Sequence, residues 1–117
     1  MKLYATLIFP CILLAGCNPA EDVWADAVIV QGKQEISQRF RDPSTAVFRD
    51  VYYNSGRWVP VACGEVDAEK FEGGRTGFQR FIATREKYTV LESDQFPHEI
   101  LPESVASFDA AWEWACH

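Results

Sequence analysis

The feature that most constrains this chain's fold takes no part in it. From Leu3 to Leu14 the sequence is a nearly unbroken apolar run behind the single positive charge of Lys2. A helix needs about 20 apolar residues to cross a bilayer, so this run is too short to span. Its place at the start marks it as a targeting segment rather than structure. Two other readings stay open at this point: an ordinary secretory signal, and an uncleaved signal anchor. Unless the run is retained as an anchor, the folded domain is built only from the residues after it.

The run closes with Leu14-Ala15-Gly16-Cys17. This resembles the lipobox of bacterial lipoproteins, a leucine and two small residues before an invariant cysteine. Small side chains let a peptidase reach extended backbone, and the thiol is the nucleophile that takes the diacylglycerol. The resemblance implies a signal peptide over 1–16, acyl chains such as palmitate on Cys17, and a tether over 17–20. Each buried methylene contributes about 0.8 kcal/mol, so two or three chains anchor stably. Four extended residues reach only about 14 Å, which keeps the domain close to the membrane. Asn18, where an aspartate would favour inner-membrane retention, implies the periplasmic face of the outer membrane.

Removing sixteen of the 117 residues leaves 101, a length that suits one domain, read here as 21–117. Only Lys2 leaves the 11 basic side chains, so 10 face 17 acidic ones, a net of −7. Such a surface is repelled by anionic lipid, so attachment falls to the acyl chains. It also offers no basic stripe for nucleic acid. Of four cysteines, Cys11 leaves with the signal and Cys17 is acylated, which leaves Cys63 and Cys116. In an exported protein these are expected to pair, closing a loop worth on the order of 4 kcal/mol. A buried free thiol and an intermolecular link are the alternatives.

Along the rest of the chain the pattern predicts an α+β domain. A first helix is expected over 21–41, with acidic residues opening it, Arg39 and Arg41 closing it, and Ile29, Ile36 and Phe40 on one face. Gly32 lies beside that face as a close-packing point, although Val28-Ile29-Val30 could equally start a strand. Asp42-Pro43 stops the helix and caps a short turn. Strands are expected over 48–53 and 57–67, joined at Asn54-Ser55-Gly56, and over 78–84 and 88–91. Pro60 argues for an edge position or a bulge. A closing helix over 102–116 puts Val105, Phe108, Ala111, Trp112 and Ala115 on its inner face and is tied back by the disulfide.

The segment from Asp42 to Ile82 resembles a family of small, largely uncharacterised bacterial lipoproteins and exported proteins. The matching residues are Asp42, Pro43, Thr45, Ala46, Phe48, Arg49 and Val51. They continue with Cys63, Gly64, Val66, Ala68, Gly73, Gly74, Gly77, Phe78 and Phe81. Asp67, Glu69 and Arg75 depart from the family's asparagine, lysine and tyrosine. The resemblance implies no particular activity.

Four features could carry chemistry. Gly73-Gly74-Arg75-Thr76-Gly77 could cradle an anion, but it lacks the lysine and strand-to-helix setting of a phosphate loop, and tight turns explain its glycines. Cys63 could be a nucleophile with His98 or His117 as base, yet its partner and compartment favour a structural bridge. No histidine–cysteine spacing matches a zinc site. Glu65, Asp67 and Glu69 project from one strand face and could serve glycoside hydrolysis or calcium, or simply form a solvated face. Trp114 points away from the inner face of the last helix and is a candidate contact for lipid or partner. The sequence therefore reads as a non-catalytic envelope lipoprotein without cofactor or metal, binding lipid through Cys17 and, in its domain, another envelope protein. The rival is a small periplasmic hydrolase or redox protein using Cys63 or the Glu65/Asp67/Glu69 carboxylates.

Overall fold

The computed structural model describes residues 19–55, 59–86 and 88–117, with side chains from Val23 onward. The segment expected to be a signal peptide, Cys17 and Asn18 lie outside the described residues. Helix α1 (Pro19–Ser37) leads to a single 3₁₀ turn (Pro43–Thr45). Strands β1 (Val47–Asn54), β2 (Val61–Asp67), β3 (Gln79–Thr84) and β4 (Thr89–Leu91) come next, then helix α2 (Phe108–Ala115). The strands form one antiparallel sheet in chain order, β1-β2-β3-β4. The expected α+β fold is thus present, with α1 on one face of the sheet and α2 on the other.

Helix α1 begins two residues before the acidic opening and stops four short of Arg41. Pro19 suits a first turn because its missing N–H has no helical partner to lose. At the far end Ser37 Oγ donates to the Lys33 carbonyl at 2.7 Å, and Arg39 N–H donates to Ile36 O at 2.9 Å. The chain tightens there and drops Phe40 into the core. Val28, Gly32 and Ile36 form the inner face; Ile29 is half-buried and Val30 faces outward. Three consecutive apolar residues so point in three directions around one helix. A Cβ on Gly32 would lie 3.0 Å from Ala62 Cβ and 3.2 Å from Ala83 Cβ, so this glycine sets how closely α1 approaches the sheet.

Asp42 caps the 3₁₀ turn as expected, its Oδ1 accepting from Ser44 Oγ at 2.7 Å and Ser44 N–H at 3.0 Å. Those bonds to Ser44 hold its carboxyl below the usual range.

Strand β1 carries a bulge. Arg49 faces Glu65 and Tyr52 faces Cys63, so Asp50 and Val51 together oppose Gly64. Asp50 takes φ of 55° to make room for the extra residue. The bulge shifts the side-chain phase, which is why Phe48, Val51 and Tyr53 all pack toward α1 without strict alternation. It also crowds β2: a Cβ on Gly64 would sit 2.9 Å from Val51 Cα.

Strand β2 is central rather than at an edge, and Pro60 lies just before it instead of within it. There its lack of an N–H costs the ladder nothing. Val61 and Cys63 point away from α1, toward Ile82, Val90 and the chain's end. Leu101, Val105, Phe108, Ala111 and Ala115 complete this second core. Helix α2 starts at Phe108 rather than near Pro102, because Ser107 caps it by accepting from Ala110 N–H at 3.1 Å. Its C-terminal carbonyls are met by β1: Asn54 Nδ2 donates to Ala115 O at 2.8 Å and Tyr52 Oη to Cys116 O at 3.1 Å. Cys63 and Cys116 are disulfide-bonded, fastening α2 to the centre of the sheet.

Candidate interaction surface

The carboxylate row expected on β2 is present but divided among arginines. Glu65 Oε1 accepts from Arg49 Nε at 2.6 Å across the β1–β2 pair. Asp67 Oδ2 accepts from Arg75 Nε at 3.2 Å, and Arg75 Nη2 also donates to the carbonyls of Thr45 and Asp67. Glu69 lies beyond the strand, bridged through its backbone to Arg75. The opposite side, Val66 and Ala68, is core as expected.

The glycine loop is explained by the same contacts. Gly73, Gly74 and Gly77 have φ of 96°, 77° and 75°, the left-handed turn conformations that favour glycine. Donors of the loop are met from within the chain: Gly77 N–H gives to Asp67 Oδ1 at 3.0 Å, beside the Arg75 bond. The anion in this loop is Asp67 itself. Asp67 and Arg75 thus face one another.

Cys63 is fully buried in its disulfide, so its sulfur is not a thiol. His98 Nε2 lies 3.2 Å from Asp94 Oδ2, and His117 Nε2 lies 3.6 Å from Glu113. Among the described residues no group of three or more His, Cys, Asp or Glu could hold a metal ion. Trp114 is half-buried against the second core and Trp112, expected inside, is likewise half-buried. A groove of about 480 Å³ runs between the end of α1, the glycine loop and β4, floored by Phe40 and Leu91. Phe71 stands 70% exposed at its rim. Arg39, on its wall, is already committed to Asp94 at 2.6 Å and to Thr89 Oγ1 at 3.0 Å.

What sequence reasoning missed is a charged line on the α2 side of the sheet. Arg49, Glu65 and Arg80 are register neighbours on β1, β2 and β3. Glu92 extends the line past β4, its N–H donating to Arg80 O at 3.0 Å. The signs alternate from β1 to the residue that follows β4. Arg80 Nη2 reaches both Glu92 at 2.9 Å and Asp109 of α2 at 2.5 Å. Hydrogen bonds from Arg80 hold the Glu92 carboxyl low, and those to Glu92 and Asp109 raise Arg80 further. Aromatic rings frame the line. The Arg49 guanidinium stacks 3.8 Å from the exposed Phe78 ring, and Arg80 lies over Phe108 and Trp112 at 4.9 and 5.3 Å. Trp112 meets the exposed Tyr52 edge-on at 6.4 Å. The bulge at Asp50 is what sets Arg49 opposite Glu65; counted back from the Tyr52–Cys63 pair without it, Asp50 would hold that place. Asp50 is not a glycine, so the sequence carries little sign of the bulge.

No protein-family model matches the chain, and neither curated protein sequences nor solved structures provide a match.

Proposed function

We propose that the chain is a bacterial envelope lipoprotein, held through acyl chains on Cys17, whose domain binds another envelope protein through the Arg49–Glu65–Arg80–Glu92 face. The observation that carries the binding reading is the composition and exposure of that face. Arginine, tyrosine and tryptophan are the residue types that dominate binding energy at protein interfaces. Here they are held in place by ion pairs and ring contacts, so little side-chain freedom is lost on docking. The anchor reading is supported by the Leu14-Ala15-Gly16-Cys17 pattern and by the helix that starts two residues later. Asn18 favours the periplasmic face of the outer membrane. Kinship with the small lipoprotein family belongs to the same proposal, and several of the residues that carry it serve packing and turns in this fold: Gly64, Phe81, Gly73 and Gly77. The rival enzymatic reading has less support, since Cys63 is bonded to Cys116 and Glu65 and Asp67 each face a guanidinium.

Two experiments test the two halves. Labelled palmitate should enter the wild-type chain and not Cys17→Ser, and the variant should leave the membrane fraction; labelling of both would overturn the anchor. A photoreactive residue at Tyr52 or Phe78 in intact cells should capture one discrete protein, and Arg49→Glu with Arg80→Glu should abolish the adduct. Equal capture from Gln38, on the opposite side of the fold, would count against this face.

A further inference from the structure

We infer that the outer face of α1 lies on the bilayer surface, seating Val23, Ala27 and Val30 at headgroup level; this rests on the anchor reading proposed above. Val23 and Val30 are 65% and 64% exposed, and Ala27 between them is exposed too. Offsets of four and seven residues put the three on one stripe. The stripe lies opposite Val28, Gly32 and Ile36, which seal the helix to the sheet. Among the described residues no side chain covers it enough to bury it, although valines of this kind are the ordinary content of a core.

Position decides the occupant. The backbone of α1 begins at Pro19, two residues after Cys17. Whatever path 17–18 take, two residues reach at most about 7 Å and four helical ones add about 6 Å, so the Cα of Val23 lies within roughly 13 Å of that of Cys17. The stripe covers about 10 Å of helix axis, so an acyl chain entering the bilayer at Cys17 brings the whole stripe to its surface. A second copy of the chain is a poorer fit. Two valines and an alanine fall far short of the roughly 800 Å² per partner that a stable dimer buries. A membrane needs no such area, because the anchor already supplies the high local concentration.

The flank of the stripe is suited to the same place. Trp24 is partly exposed, with the Arg85 guanidinium stacked 3.8 Å from its ring. Tryptophan and arginine settle at the membrane–water boundary, with apolar parts inward and polar tips outward. The exposed Asp26 and the net −7 of the processed chain direct the contact toward zwitterionic rather than anionic headgroups.

The test uses the acylated protein purified from bacteria and returned to vesicles of phosphatidylethanolamine and phosphatidylcholine. A fraction of the phosphatidylethanolamine carries a diazirine at the top of its acyl chain. After illumination, label should map to Val23, Ala27 or Val30 and fall about tenfold in Val23→Asp/Val30→Asp, the loss of some 1.4 kcal/mol of contact. The acyl mass on Cys17 and the Cys63–Cys116 bond, read from the same spectra, show that the variant is anchored and folded. Replacing part of the lipid by phosphatidylglycerol should lower the label. Anchored protein without label on this stripe, or label unchanged in the variant, overturns the inference and leaves the anchor standing. A detergent-solubilised dimer that the variant dissolves also overturns it, in favour of a second copy. A purified chain without acyl mass on Cys17 overturns the anchor and this inference with it.

Discussion

Single residues in this fold are constrained most where backbone meets backbone. Gly64 faces the bulge, and a methyl there meets the Val51 main chain, which cannot swing away as a side-chain tip can. Gly64→Ala should cost about 2 kcal/mol, in the range of core overpacking, measured by urea denaturation. Gly32→Ala should cost less, because its contacts with the Ala62 and Ala83 methyls at 3.0 and 3.2 Å are slightly looser and the helix gains roughly 1 kcal/mol of propensity. A reversed order would contradict the packing described for α1. Asp50, at φ of 55°, tests the bulge itself. Asp50→Gly should be tolerated, and Asp50→Val should lose about 1–2 kcal/mol, since a β-branched side chain resists the left-handed region. Asp94 governs acid stability. Burial by itself would raise its carboxyl, but bonds from Arg39, the Leu91 amide and His98 outweigh that and hold it below its ordinary value. As pH falls the unfolded chain takes up this proton first, near its usual value of about 3.9. The contribution is therefore complete above about pH 5 and drains away below it. The stability gap between wild type and Asp94→Asn should narrow steadily from pH 5 to pH 3 in denaturant melts; a gap constant with pH would remove Asp94 from the account.

At the scale of elements, the two helices are held to the sheet by different means. Helix α1 relies on close approach through Gly32, and α2 on its disulfide, its Ser107 cap and the Tyr52 and Asn54 bonds to its end. Replacing Cys63 and Cys116 by serine should lower stability by about 4 kcal/mol for a 53-residue separation. The loss should appear first as exchange of α2 amides, while α1 and its core keep their protection. The four strands and the last helix were legible in the sequence because alternation and the Val105, Phe108, Ala111, Ala115 spacing are local signals. Helix ends were less so. Phe40 continues the apolar pattern of α1 although the chain has already turned at Ser37, and Pro102 only precedes the segment that Ser107 finally caps. The interaction face was the least legible part. Glu65 was visible as one of a carboxylate row, but its partner Arg49 lies on another strand, in a register set by a bulge with no glycine to mark it. The lone acids read along β2 are, in space, halves of pairs.

For the molecule as a whole, the sheet separates two environments: α1 and its outward valines on one side, α2 and the charged aromatic line on the other. With α1 against a bilayer, the Arg49–Glu65–Arg80–Glu92 face would look away from the membrane, into the space where a soluble or neighbouring envelope protein arrives. Binding through the charged face and contact of α1 with a bilayer are therefore compatible, although the second falls if the anchor does. The whole-molecule prediction concerns cleavage. The stretch from Ser93 to Ser107 has no regular strand or helix, and much of it is exposed. A protease should enter there before it enters the sheet. Because Cys63 and Cys116 bracket that stretch, the cut product should run as one species on a non-reducing gel and split only when thiol is added. Separation without reductant would mean that the bond is absent in the native protein. A chain cut in this way keeps its last helix tethered to the half that carries Cys17. The ring closed by one sulfur–sulfur bond makes a scission survivable: the damaged molecule stays in one piece.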